Sequence, residues 1–265
     1  MELIRLRFPS FKLFDMILKS IEAIDDVIYL LPVEDDDMSG LLITQIDKPR
    51  VIMTNHYIDE KDLVAFDYDP DYIAKEPLDR VVPVLIKDLR RGLKVAKKDS
   101  VIELSYKEDG FVHLTVEGQY KSHSKIHPAG TSDWMFQKLP DIEFPSTIRI
   151  YGKLLRDMLS LAKVSTNEFV FMVTEDGLKF VFEGMNIEQE VTIPFDNDLI
   201  LDVEAEPGAK GIYGVNYLMD IAKGIDAGDE LLMEWGKDYP MRIMKKIGEH
   251  SKMEWLLAPR IDDEE

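Results

Sequence analysis

Cysteine is absent from the 265-residue chain. That excludes disulfides, thiolate metal ligands and a cysteine nucleophile, and it fits a reducing compartment. No apolar run approaches the length of a membrane span, and the first residues lack the charged-then-apolar pattern of a secretion signal. There is no glycine-rich phosphate loop, no G-x-S-x-G and no H-E-x-x-H, so the common nucleotide, ester and zinc-peptidase chemistries have no anchor. Positive charge is scarce too. With 32 Lys/Arg against 51 Asp/Glu the net charge is -19 at pH 7, which argues against a polyanion partner for the surface taken as a whole. What remains is ordinary: a length that suits one large or two medium domains and a hydrophobic content of 45%, enough for a real core.

The scarce positive charge is not spread evenly. Four amphipathic segments, 10–22, 84–98, 152–164 and 214–224, hold 12 Lys/Arg against 5 Asp/Glu, so the rest of the chain is more acidic than its net charge suggests. In 84–98, Lys87, Arg90, Arg91, Lys94 and Lys98 form one stripe, with Ile86, Leu89, Leu93 and Ala96 opposite. Lys12 and Lys19 share a stripe with Asp15 and Glu22; Lys153, Arg156, Ser160 and Lys163 share another; the fourth segment keeps only Lys223. Taken singly, each stripe reads as a solvated outer face. The weight lies in repetition. Lys and Arg at this spacing suit phosphate contact without base reading, and no aromatic platform for single strands lies among them.

The segments also belong to an internal repeat. Phe11, Phe14, Ile17, Leu18 and Ile21 form an apolar face matched about 141 residues later by Leu155, Met158, Leu159 and Ala162. Each is followed by a strand, a polar turn and a second strand: 27–33 and 41–47 in the first half, 169–174 and 178–183 in the second. Residues 88–104 lie on 217–233 at an offset of 129. The rest alternates in strand fashion. These patterns predict an α+β protein with each half as two helices on antiparallel sheet, an N-terminal domain at 1–127, a connecting loop at 128–145 and a C-terminal domain at 146–265. The loop carries three prolines and an exposed-looking Trp134-Met135-Phe136, with Leu139. Metal chemistry has little support. His123 and His127 would share a strand face without a third ligand nearby in sequence, and Asp35-Asp36-Asp37 lacks the spacing of a calcium loop and reads as a hairpin turn.

The C-terminal run Lys252-Met-Glu-Trp-Leu-Leu-Ala-Pro-Arg-Ile-Asp-Asp-Glu-Glu265 resembles the ending of the proliferating cell nuclear antigen family, the archaeal and eukaryotic DNA sliding clamps. Pro240-Met-Arg-Ile-Met, Thr174-Glu-Asp-Gly-Leu-Lys-Phe-Val-Phe and Gly40-Leu-Leu-Ile-Thr-Gln-Ile-Asp47 followed by Arg50-Val51 resemble the strand and hairpins that the family carries at these places. The resemblance covers nearly the whole chain. It implies two similar clamp domains and three subunits closing into a ring with helices inside, no catalysis and no cofactor.

For the site residues the resemblance implies three sets. Lys12, Lys19, Lys87, Arg90, Arg91, Lys94, Lys153, Arg156 and Lys223 would face double-stranded DNA without sequence preference. Ile46, Arg50, Val51, Phe136, Leu139, Pro140, Pro240, Leu256, Ala258 and Pro259 would form a groove for short peptides of a polymerase, clamp loader, flap nuclease or DNA ligase. Tyr120, Ser122, Ser124, Ile126 on one edge strand and Lys179, Val181, Glu183 on another would join subunits, identical or paralogous. Leu256 stands where many clamps have an aromatic ring, and the fourth helix is weakly basic. Such a protein is expected in the archaeal cytoplasm, at the nucleoid, or in a eukaryotic nucleus. Three alternatives stay open at this level: a checkpoint-type clamp subunit of a hetero-trimer, a metal-dependent nuclease using scattered carboxylates, and an acidic scaffold with no DNA role.

Overall fold

The computed structural model describes residues 1–131, 134–184 and 188–260. Residues 132–133 of the connecting loop and the acidic end at 262–265 lie outside the described residues. The chain divides into two compact units, each discontinuous in sequence: Met1–Gln45, Thr54–Leu139 and Ile247–Met253 form the first, and Ile46–Met53, Pro140–Lys246 and Glu254–Glu265 the second. Among the described residues no helix is long and apolar enough to cross a membrane.

In chain order the first part of the sequence gives β1 (Glu2–Phe8), α1 (Phe11–Glu22), β2 (Val27–Glu34), β3 (Ser39–Ile46), β4 (Ile52–Asp59), β5 (Ala65–Tyr68), the short α2 (Pro70–Ile73) and α3 (Pro77–Arg80), β6 (Val82–Leu85), α4 (Ile86–Gly92), β7 (Val101–Lys107), β8 (Val112–Glu117) and β9 (Lys121–Ile126). A five-stranded antiparallel sheet runs β5-β1-β7-β8-β9, and β4-β3-β2-β6 pair in that order. Alternation explains the sheet. Val112, Leu114 and Val116 point inward while His113, Thr115 and Glu117 point out. Phe14, Ile17, Leu18 and Ile21 of α1 and Ile86 and Leu89 of α4 pack into the same core with Ile102, Leu104 and Leu114. Ser10 caps α1, its hydroxyl accepting from Leu13 N at 3.3 Å. Asp35, in the acidic run, closes the β2–β3 hairpin by accepting from Asp37 N and Met38 N.

The rest of the chain gives β10 (Ser146–Tyr151), α5 (Gly152–Ser165), β11 (Glu168–Val173), β12 (Gly177–Glu183), β13 (Glu188–Pro194), β14 (Ile200–Glu204), β15 (Lys210–Gly214), α6 (Val215–Ala222), β16 (Glu230–Trp235), β17 (Met241–Lys246) and β18 (Lys252–Leu257). In the second unit one sheet runs β13-β12-β11-β15 and the other β14-β10-β16-β17-β18. Its core is aromatic: Phe169 meets Phe180 edge-on at 5.6 Å and Phe171 meets Trp235 at 5.1 Å. The repeat read from the sequence is real. The long helices of the first unit begin at Phe11 and Ile86, those of the second at Gly152 and Val215.

Three expectations change. The helix expected over 84–98 spans only Ile86–Gly92, extended by a single 3-10 turn at Leu93–Val95, so Lys98 lies beyond it. A Cβ on Gly92 would sit 2.6 Å from the Leu114 side chain, so the end of the helix lies tightly on β8. Trp134 is buried, at 5% exposure, while Met135 and Phe136 are exposed. And β12, taken as a subunit edge, is an interior strand, paired to β11 on one side and β13 on the other.

Candidate functional site

The cationic stripes sit where helix periodicity places them. Lys12, Lys19, Lys87, Arg91, Lys94, Lys153, Arg156 and Lys223 are all exposed. Several hold a carboxylate one turn away: Lys19 with Asp15 at 2.8 Å, Lys223 with Asp220 at 2.6 Å, Lys153 with Asp157, and Arg91 with Asp88 at 3.8 Å. Exposed pairs of this kind are worth at most about 1 kcal/mol. A phosphate can displace them. Arg156 also donates to Ile225 O at 2.9 Å, bracing α5 on the loop after α6.

Arg90 departs from the expected set. It reaches from α4 to Asp15 and, at 2.9 Å, to Glu22, both on α1. Burial works against charge on Asp15 and Arg90 alike, but Lys19 and Arg90 hold the Asp15 carboxyl below its usual range. Asp15 and Glu22 likewise hold the Arg90 guanidinium above its own. A half-buried cation shared by two carboxylates ties helices together rather than facing a polyanion. The sequence could not reveal this, because the partners lie 68 and 75 residues away.

The apolar set behaves differently from core. Every one of Ile46, Arg50, Val51, Phe136, Leu139, Pro140, Pro240, Leu256, Ala258 and Pro259 is exposed or only half-buried, whereas Met253, Trp255 and Leu257, alternating with Leu256 on β18, are fully buried. In the second unit the turn 47–52 is built on Asp47. Its Oδ1 accepts from Val51 N at 2.6 Å and Ile52 N at 2.9 Å, and Arg50 takes a left-handed φ of 60° that leaves its side chain in solvent. Val51 O then accepts from Ala258 N at 2.9 Å, joining two of the expected residues directly. The chain after β18 is held further along by Arg260, whose N–H donates to Ile212 O at 2.9 Å and whose guanidinium meets Glu168 at 2.9 Å.

Beside that pinned segment lies a cavity of about 230 Å³, lined by Lys210, Ile212, Tyr213, Lys237, Pro259 and Arg260 among others. Of these only Pro259 was expected. Tyr213 is held by a bond from its hydroxyl to Tyr239 O at 3.0 Å, and burial pushes its phenol above the usual range. Asp238 also lines it, so the cavity is of mixed charge and suits a polar group.

In the first unit the connecting loop is anchored by Trp134. The β2–β3 ladder stops at Leu31 and Leu42, and the Gln45 side chain bridges the gap, accepting from Tyr29 N at 3.4 Å and donating to Val27 O at 3.0 Å. Trp134 fills the opened space. Its ring stacks on Tyr29 at 6.0 Å and its indole N–H donates to Thr44 O at 3.0 Å. The Thr44 hydroxyl donates to Gln137 O at 3.1 Å, so one residue grips the loop on both sides of Met135 and Phe136. Asp47 and Thr44 were not singled out from the sequence, and Trp134 was read there as an exposed loop residue rather than an anchor. A Trp in a Pro-rich loop, with no apolar periodicity around it, was the available signal.

On the candidate edges, β9 is a true end strand, with Tyr120 exposed in the preceding turn, Ser122 and Ser124 half-buried toward α4 and Ile126 in the core. Lys179, Val181 and Glu183 are corrected: their strand has no open side, and Lys179 pairs across the ladder with Glu190 at 2.5 Å. The end strands of that sheet are β13 and β15. The exposed outer faces of β9 and β13 differ in sign, with Lys121, His123 and Lys125 on β9 and Glu188 and Glu190 on β13.

No protein-family model matches the chain. It is 25% identical over 254 residues to a DNA polymerase sliding clamp of Thermococcus onnurineus, covering 94% of both chains. Among solved structures, PCNA from Thermococcus kodakaraensis superposes with a TM-score of 0.86 at 21% identity, over 97% of this chain and 100% of that one. The PCNA of A. fulgidus bound to the C-terminal region of FEN-1 superposes at 0.82 with 18% identity, over 99% and 100%. The fold is that of these proteins.

Proposed function

We propose that this chain, a member of the DNA sliding-clamp family, is one subunit of a three-membered ring that encircles duplex DNA and tethers replication and repair enzymes to it. The observation that carries the reading is the set of eight exposed cations on matched helices of two similar units, in a chain otherwise strongly acidic. Those side chains present charge without base-reading geometry, which suits sliding along any sequence. Retention on DNA would then come from topology, so weak contacts suffice, and tight ones would hinder movement. The acidic remainder repels DNA from the other surfaces.

Ring closure needs two complementary edges. The end strands β9 and β13 supply open backbone and opposite charge on their outer faces, and pairing them removes two edges that are aggregation hazards when left bare. Client enzymes would engage the exposed or half-buried Ile46, Arg50, Val51, Pro140, Pro240, Leu256, Ala258 and Pro259 of the second unit, and the cavity beside Pro259 and Arg260, through short extended peptides. The solved relative holding the C-terminal region of FEN-1 supports a flap nuclease as one such client. The protein would work wherever the chromosome lies, in the cytoplasm of a cell without a nucleus or in the nucleus of one that has it.

Mass by light scattering, together with retention on closed circular against linear DNA after loading, tests this reading. The expected result is a trimer mass, alone or with a paralogue, and retention lost on linearisation. A chain that stays monomeric in every combination, or leaves circles as fast as linear DNA, overturns it. Trimer formation only after a paralogue is added marks a hetero-trimeric ring.

A further inference from the structure

The outer face of the β8–β9 ladder carries a pair of imidazoles that the clamp reading does not use. Antiparallel register sets Thr115 opposite His123 and His113 opposite Lys125. This brings His113 Nδ1 to 3.3 Å from His123 Nε2, with ring centroids 5.3 Å apart. The sequence suggested His127 as the partner of His123, but His127 lies past the end of β9 and packs tilted against Phe111 at 4.5 Å.

Each ring's second nitrogen is already engaged. His113 Nε2 lies 3.1 Å from Asp109 Oδ2. Asp109 also meets Lys125 at 2.8 Å and accepts from Phe111 N at 3.2 Å. A carboxylate can only accept, so the neutral His113 ring that donates to it carries its proton on Nε2 and turns the Nδ1 lone pair toward His123. His123 Nδ1 lies 3.2 Å from the Thr115 hydroxyl, which can donate or accept. When Thr115 donates, His123 Nε2–H points at His113 Nδ1, but 3.3 Å is long for such a bond. When Thr115 accepts, the His123 proton sits on Nδ1 and two lone pairs converge. Two imidazole nitrogens at about 2.0–2.1 Å from a tetrahedral cation lie about 3.3 Å apart.

We propose that His113 Nδ1 and His123 Nε2 bind one late first-row divalent cation, such as Zn²⁺, Ni²⁺ or Cu²⁺, with Asp109 as the outer carboxylate that orients His113. The site is preorganised on two paired strands, and the His113 side chain is only 12% exposed. The carboxylate–histidine–metal relay fixes the tautomer and raises ligand basicity. Binding takes the tautomer of His123 whose proton sits on Nδ1, donated to the Thr115 hydroxyl. The neighbouring charges are accounted for: Lys125 lies 2.8 Å from Asp109 and over the Phe111 ring, Lys121 meets Glu117 at 2.8 Å, and Glu103 is held by Arg5 at 2.8 Å. Among the described residues no group of three or more His, Asp or Glu could hold a metal, so water completes the coordination.

Cu²⁺ is the probe, because it binds imidazole sites most tightly in this series and reports its ligands by electron paramagnetic resonance. One equivalent added to the full chain should give a single species with two imidazole nitrogens, displaced by excess Zn²⁺. His113→Gln and His123→Gln should each abolish the two-nitrogen signal, and His127→Gln should leave it unchanged. Asp109→Asn should keep the signal but weaken binding about tenfold. Circular dichroism melts identify any variant that fails to fold. A two-nitrogen signal surviving His123→Gln, or one lost in a folded His127→Gln, overturns the proposal, as does a wild-type spectrum with one nitrogen or none. The readout is local to one strand pair and stands whether or not the chain forms rings.

Discussion

Asp62 shows how one carboxylate can secure a distant turn. Its oxygens accept from Glu249 N at 3.1 Å, His250 N at 2.9 Å and Ser251 Oγ at 2.6 Å, all within the first unit. Partial burial works against the charge, but these donors prevail and hold the carboxyl below its usual range. A depressed folded-state value means the contribution is complete above the ordinary carboxylate range and is lost as the pH falls through the lowered one. Asp62→Ala should therefore cost about 1–2 kcal/mol at pH 7 by denaturant unfolding, allowing for its solvent exposure. The gap to the parent should narrow steadily on acidification below about pH 4. At the same scale, Arg90 and its exposed neighbours should separate. Arg90→Ala should lower stability by about 1–2 kcal/mol, since Glu22 loses this cation and the half-buried Asp15 keeps only Lys19. Lys87→Ala or Lys94→Ala should leave the melting temperature unchanged and reduce the salt dependence of DNA binding by about one unit of slope per residue.

The connecting loop is where element-level packing departs most from what the chain advertises. Trp134→Phe keeps a ring in the wedge between β2 and β3 and loses only the bond to Thr44 O, at about 1 kcal/mol. Trp134→Ala empties the wedge and should cost about 3 kcal/mol, with a matching rise in amide exchange across 134–139. The helices were legible because their apolar faces recur at helical spacing, and the hairpins because acidic or Gly-containing turns separate alternating runs. Three features were not. The early end of α4 falls inside a run whose basic and apolar periodicity continues to Lys98, so the pattern does not mark it. The strand that ends the second unit's small sheet is decided by pairing, since 177–183 and 188–194 both alternate and only the register of β12 with both neighbours tells them apart. The anchoring role of Trp134 arises because β2 and β3 diverge, an event with no local sequence mark beyond Gln45.

At the level of the whole molecule, assembly should depend on the two end strands. Glu188→Lys with Glu190→Lys reverses the outer face of β13 against the basic face of β9, and should shift the light-scattering mass from trimer toward monomer without loss of circular dichroism signal. The same variant of a chain whose subunits meet elsewhere would keep its mass. The chain's three tryptophans are also unevenly divided between its units. Trp235 and Trp255 are fully buried in the second, so the first contains only Trp134. Replacing both of those by Phe would leave a chain whose entire indole emission comes from the loop anchor. Its wavelength and quenching would then report, in real time and without a label, whether a client peptide leaves the loop seated or lifts it into water.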